Sequence, residues 1–247
     1  SDGIVDEVYY PRVDQANTRD FGLLVSGAGG FFSEEKRDTV STVHLLGPGV
    51  PGYRLVNRCS AGRYEIEKTI ITDPERPVLL QQIRLRILTG AIADYRLFVL
   101  LAPHIGNQGY GNDGWLDSYK GNPMLFARRD DVSLALVCSA GWEAASCGYV
   151  GVNDGWRQVH AAGRLTALHT EARNGNVALT GEVRLTGGAL AADGSTAEFV
   201  VALGFGAGPA EAAQRARMTL ESRFDRIQVS YVRNWTRFHE HTRGPAT

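Results

Sequence analysis

Apolar and polar residues alternate along most of the first two hundred positions, in short runs punctuated by Gly, Asn, Asp and Pro. A period of two is the rhythm of a strand with one wet face. Ile83-Arg84-Leu85-Arg86-Ile87 and Tyr64-Glu65-Ile66-Glu67-Lys68 carry it most clearly, and residues 96–101 and 199–203 are apolar runs of strand length. Turn formers such as Gly90, Pro103 and Gly194 bound these runs. Residues 40–46, 132–138, 149–152, 165–169 and 177–185 bring the total to about a dozen strands. No helical period separates them, so antiparallel pairing is expected. The expected fold is all-β, a large antiparallel sandwich of two sheets over residues 1–208.

The period changes at Pro209, a residue suited to the first helical position because its missing N–H would be unpaired there anyway. Ala216, Leu220, Phe224, Ile227, Tyr231, Trp235 and Phe238 then recur every three or four positions. They trace one apolar stripe along a single helix about 45 Å long at 1.5 Å per residue. Residues 209–247 are therefore expected to form a C-terminal helical linker. Its aromatic end, Tyr231, Trp235 and Phe238, lies several turns from Pro209 and is expected to pack on a segment outside this chain. Residues 243–247 read as a disordered tail, and both ends of the chain look cut rather than natural.

Composition narrows the partners. The 247 residues hold 26 Lys and Arg against 27 Asp and Glu, a formal charge of −1. No basic run tracks a phosphate backbone, which argues against nucleic acid. No apolar stretch approaches the ~20 residues that cross a bilayer, so no membrane partner is expected. Cys59, Cys138 and Cys147 match no zinc spacing, and their odd number leaves at least one thiol unpaired. Whether Cys138 and Cys147 pair stays open, as does localisation.

Two polar stretches attract attention. Residues 104–124 are rich in Gly, Asn and Asp, and their length of about twenty residues far exceeds the usual connection of ~4–6. This expected loop contains Asn112-Asp113-Gly114-Trp115, and the same four residue types recur at 153–156. Trp115, Tyr110 and Tyr119 offer faces for a sugar ring, with Asn112 and Asp113 beside them as hydroxyl partners, and Lys120 is a further candidate for a substrate rim or domain interface. The plainer reading makes Trp115 and Trp156 anchors beneath Asp-Gly turns, and it is favoured for Trp156. Neither copy has the alternating oxygen ligands and closing Glu of a calcium loop. In the second stretch, residues 9–20, Pro11 interrupts a strand begun at Ile4 just after Tyr10, a rim candidate, and Arg12, Asp14, Asn17, Arg19 and Asp20 crowd into a short polar run. An Arg fork beside a carboxylate can hold sugar hydroxyls or a neighbouring domain, or form a solvated turn.

Catalytic signatures are thin. No Gly-x-Ser-x-Gly occurs, no His array has zinc spacing, and no carboxylate pair stands out for glycoside hydrolysis. Glu34 and Glu35 beside Lys36 and Arg37 read as a salt-bridged surface. No catalytic residue, metal or cofactor is expected.

The segments "DGIVDEVYYPRVDQANTRDFGLLVS", "YEIEKTIITDPERPVLLQQIRL", "DYRLFVLLAPHIGNQGYGNDGW", "GYVGVNDGWRQV" and "FVVALGFGAGPAEAA" stand in this order along the chain. Together they resemble the N-terminal domain of bacterial glucoamylases and glucodextranases, inverting glycoside hydrolases of family fifteen, from about residue 2 to about residue 238. The resemblance implies a supersandwich like that of galactose mutarotase, joined by a helical linker to a six-fold (α/α)6 barrel that carries both catalytic glutamates. It implies that the 10–14 loop approaches the barrel and the rim of its substrate pocket, and that the 104–124 loop reaches the same way. It also implies a further strand ahead of the "DGIV" segment. The partner would be the barrel of the same polypeptide, with α-glucan as substrate. Two other readings are a free-standing α-glucan-binding module using Trp115, Tyr119 and Trp156, and a sugar mutarotase, which needs a paired His and Glu.

Overall fold

A computed structural model describes residues 2–242. It is a two-sheet antiparallel sandwich flanked by three helices. The smaller sheet has five strands: β1 (Thr18–Gly27), β2 (Phe31–Glu34), β7 (Tyr95–Pro103), β11 (Trp142–Tyr149) and β13 (Val177–Val183), in the order β11-β13-β7-β1-β2. The larger sheet has nine, in the order β12-β8-β9-β10-β14-β6-β5-β4-β3. They are β3 (Thr39–Gly47), β4 (Val50–Cys59), β5 (Tyr64–Thr72), β6 (Val78–Ile87), β8 (Asn112–Tyr119), β9 (Asn122–Arg129), β10 (Val132–Cys138), β12 (Glu171–Gly175) and β14 (Thr196–Gly206). Every strand pair is antiparallel, in agreement with the alternation along the chain.

Alternation decides what each face buries. The inward set, including Leu23, Val25, Ile66, Ile83, Leu85, Leu97, Val99, Leu134, Leu136 and Val201, forms the core between the sheets. A second apolar layer lies on the outer face of the nine-stranded sheet beneath α2 (Pro209–Glu221) and α3 (Phe224–Thr242). Ala212, Ala213 and Ala216 are fully buried there, and their small side chains let α2 lie close against β14 and β10. A third, smaller cluster of Leu24, Phe98, Val159 and Leu165 sits on the outer face of the five-stranded sheet under α1 (Gly155–Ala162).

Several expectations are corrected. The single 45 Å helix is two helices, broken at Ser222 and Arg223, where Arg223 adopts a left-handed φ of 61°. Ser222 N–H returns to the Met218 carbonyl and Arg223 N–H to the Leu220 carbonyl, closing α2 as a helix end. The stripe survives because the break lets α3 turn across β4 and β5, where Phe224, Ile227 and Tyr231 are buried on the domain's own sheet. Tyr231 also donates to the Pro51 carbonyl at 3.0 Å. It therefore needs no cover from elsewhere, whereas Phe238 is 55% exposed.

The 104–124 loop is also shorter than expected. Residues 112–119 are strand β8, which turns at Lys120 and Gly121 (φ 49° and 81°) into β9. Paired positive φ values are those of a two-residue hairpin turn, and its Gly lowered the strand signal. The second Asn-Asp-Gly-Trp begins α1, with Asp154 as its N-cap, and residues 165–169 are not a strand. The segment from Ile4 to Tyr10 makes only isolated bridges, Val5 with Phe21 and Tyr9 with Ala16. Residues 243–247, expected to be a disordered tail, lie outside the described residues.

Glu35 is not on the surface. Its carboxylate is fully buried and pairs with Lys68 Nζ at 2.8 Å, while Leu23 N–H and Asn57 Nδ2 donate to it. Lys68 occupies the inward position of β5, in line with Ile66 and Tyr64, so only a partner already held in the core allows its burial.

Candidate functional site

The two polar stretches meet at one end of the sandwich, where two asparagines tie them together and a third braces the second stretch from within. Asn17 is fully buried; its Oδ1 accepts Gly106 N–H at 3.2 Å, and its Nδ2 donates to the Tyr10 carbonyl at 2.6 Å. Asn107 Oδ1 accepts Ala16 N–H at 3.1 Å, and its Nδ2 donates to the Asp14 carbonyl at 2.8 Å. Asn107 manages this in a left-handed conformation, φ 63°, which Asn tolerates better than most residues. Asn112, also fully buried, accepts Ile105 N–H and donates to the carbonyls of Gln108 and Gly109. Backbone bonds from His104 N–H to the Asn17 carbonyl and from Asn107 N–H to the Ala16 carbonyl complete the lacing.

Tyr10 anchors the same end to the helical layer. Its ring stacks on Phe205 at 5.3 Å, and Arg215 of α2 bridges the Tyr10 hydroxyl (3.5 Å) and the Phe205 carbonyl (2.8 Å). Outside this frame stand Arg12 and Asp14, paired through two 3.0 Å contacts and both about two-thirds exposed. Val13 (92% exposed) and Tyr110 (76% exposed) accompany them. A pair this exposed contributes little to stability, roughly 0–1 kcal/mol. The rim is thus a firmly held surface whose outermost side chains do almost nothing for the domain's own fold. His104, at the base of the loop, has its pKa lowered, chiefly by burial and then by Arg19, which favours the neutral ring.

Not all the residues singled out in the sequence gather here. Asp113 accepts Asn174 N–H at 2.9 Å and lies 3.7 Å from Arg173. Trp115 lies on the outer face of β8, stacked on Phe126 at 5.3 Å, with the Arg173 guanidinium 5.7 Å from its ring. Tyr119 and Lys120, the latter 5.6 Å from the Tyr119 ring, stand at the far end of the strand. Lys120 is eight positions beyond Asn112, about 26 Å at ~3.3 Å per residue. Tyr231, Trp235 and Phe238 lie on α3, which crosses β4 and β5. Tyr231 packs over β4, and six strand spacings of ~4.8 Å separate β8 from β4 in the sheet order. Trp156 lies on the opposite side of the sandwich, outside the five-stranded sheet, stacked on His160. Trp115, Tyr119 and Trp156 therefore cannot form one sugar platform.

Asn17 and Asn107 belong to the polar runs legible in the sequence, but their role as ties between the two loops is not legible there, and Arg215 was not singled out at all. Asn107 directly follows Gly106 in a Gly-rich run, a setting suited to left-handed backbone; Asn17 and Arg215 carry no comparable local sign. All three cysteines are buried and free, so Cys138 and Cys147 do not pair. Burial pushes both of their thiols up to about 12, away from nucleophilic chemistry. Among the described residues, no three His, Cys, Asp or Glu side chains cluster as metal ligands.

Comparisons with known proteins agree with this architecture. The sequence model of the family described as "Glucodextranase, domain N" matches residues 1–240. A glucoamylase from Clostridium sp. (strain G0005) is 34% identical over 238 residues, which cover 96% of this chain and 33% of that protein. The crystal structure of a bacterial glucoamylase complexed with acarbose superposes with a TM-score of 0.90 at 34% identity, over 96% of this chain and 34% of that one. The chain thus spans about a third of the length of these relatives. With the family match running over nearly its whole length, the chain belongs to the glucodextranase domain N family.

Proposed function

We propose that this chain is the non-catalytic N-terminal sandwich of an inverting glycoside hydrolase of the glucoamylase and glucodextranase type. Hydrolysis of α-1,4 or α-1,6 glucans belongs to an (α/α)6 barrel in the same polypeptide. The sandwich stabilises that barrel and shapes the approach to its pocket through the laced loops.

The observation that carries this reading is the rim itself. Asn17 and Asn107 spend their side-chain hydrogen bonds on holding together two loops that are distant in sequence, with Asn112 bracing the second loop from within, yet what these loops present is Arg12, Val13, Asp14 and Tyr110, all exposed. A surface held rigid in advance loses little entropy when a neighbour docks on it. Trp235, half-buried, and Phe238, exposed, at the end of α3 offer a second contact with the same neighbour.

Incubated alone with maltoheptaose or isomaltooligosaccharides, the chain releases no glucose; turnover overturns the proposal. In the full polypeptide, Val13→Asp combined with Tyr110→Ala lowers the temperature at which glucose release is lost. An unchanged inactivation temperature removes the docking role from this rim.

A further inference from the structure

Helix α1 has eight residues, about 12 Å at 1.5 Å per residue, and covers only part of the outer face of the five-stranded sheet. It shields Leu24 and Phe98, while Leu100, at the edge of that cluster, lines a neighbouring hollow with Ala102 and Ala178. These three form the apolar floor of a cavity of about 280 Å³. Ligand sites run to roughly 300–1,000 Å³, so this one has room for a single small ring.

The walls are polar and close to balanced in charge. Asp20, Glu34 and Asp154 face Arg37 and Arg157, and Lys36 neutralises Asp20 through a 2.6 Å bond. Glu34 is the central group: Trp156 Nε1 donates to its Oε2 at 2.8 Å, and Arg37 reaches the same oxygen at 3.3 Å. Both contacts fall on Oε2, leaving Oε1 as an acceptor. Asp154 is committed, accepting Arg157 N–H on one oxygen and Gly151 N–H on the other, so it frames the site rather than binding in it. Trp156 is held upright by His160 against one face (4.8 Å) and Phe32 against its edge (5.6 Å).

From this geometry we propose a second, carbohydrate-binding site, independent of the laced loops, that takes one pyranose unit of a neutral sugar. The wall has no net positive charge with which to hold a phosphate or carboxylate. The Trp156 face that could take a cation already has Arg37 at 5.7 Å. What remains is an apolar floor for C–H groups, an acceptor at Glu34 and donors at Arg37 and Arg157, the complement of ring hydroxyls. Only the choice of an α-glucan unit rests on the function proposed above. A ligand of about a dozen heavy atoms at ordinary efficiency binds in the millimolar range.

Titration of the nitrogen-15-labelled chain with maltose and with isomaltose tests this. Saturable shifts are expected at the amides of Gly151, Ala178 and Arg157. Arg157→Ala, a change at an exposed side chain, weakens binding about tenfold, and Ala102→Leu, which fills the floor, removes it. No saturable shift up to about 50 mM overturns the site, and so do saturable shifts confined to Trp115 and Tyr119. Absence of binding here leaves the docking proposal intact, and glucose release by the chain alone would sink that proposal without touching this one.

Discussion

Asn-Asp-Gly-Trp occurs twice, and the two copies take different secondary structure while doing nearly the same work. In 112–115 the residues open a strand; in 153–156 they open a helix. Yet Asn112 and Asn153 each satisfy nearby backbone, accepting from Ile105 and Tyr149 N–H. Asp113 and Asp154 each accept backbone N–H groups. Gly114 and Gly155 each lie where a Cβ has no room, the first 2.6 Å from Cys147 Sγ, the second inside the Thr180 side chain. Trp115 and Trp156 each come to rest half-buried outside a sheet, against Phe126 and His160. A short motif thus specifies hydrogen-bond roles and a close approach, while the partner surface decides whether the chain leaves as a strand or a helix.

The largest effect should come from removing the cover of one copy only. α2 and α3 lie over the apolar layer that includes Trp115, whereas Trp156 is beneath neither. A chain ending after Gly208 exposes Ala202, Val137, Leu80 and Phe126, and its thermal transition should fall far below that of the full chain or disappear. A short form that melts at the same temperature would place the helices outside the core. Next in size are the glycines. Adding a methyl group to a filled site costs roughly 1–3 kcal/mol. Gly155→Ala should lie near the top of that range because Thr180 is buried and branched, and Gly114→Ala lower, because a thiol can turn aside. Urea midpoints in the reverse order would mean that the strand copy is the tighter one. Smallest are the aspartates. Asp154→Ala removes a helix cap worth about 1 kcal/mol, while Asp113→Ala loses one bond at a half-exposed site and should change stability by no more than about half as much. Equal losses in the same urea series would show that the cap geometry adds nothing.

The sandwich was legible where burial follows period two. Ile83-Arg84-Leu85-Arg86-Ile87 alternates in the sequence, and in β6 Ile83, Leu85 and Ile87 are buried while Arg84 and Arg86 are exposed. The outward charges of β5, Glu65 and Glu67, behave as surface residues should, and neighbouring arginines hold both carboxyls below their usual pKa. Lys68 on the same strand was the available warning, a charge in line with Tyr64 and Ile66. Its partner Glu35 could not be found from sequence, because Glu34-Glu35-Lys36-Arg37 looks like a salt-bridged surface from end to end. Of the candidate residues, Tyr10, Arg12, Asp14 and Asn112 converge, whereas Lys120 stands at the other end of β8 and Phe238 at the end of α3.

The sequence by itself determined the class of fold, the number and direction of most strands, and the apolar stripe after Pro209. Each of these depends on periodicity, which local residue order records completely. Only the tertiary structure decided that the stripe bends at Arg223, that Asn17 and Asn107 join two loops some ninety positions apart, and that Trp115 and Trp156 face opposite ways. These outcomes depend on which surface a segment meets. That meeting is set by the twist and closure of the two sheets rather than by any short run of residues.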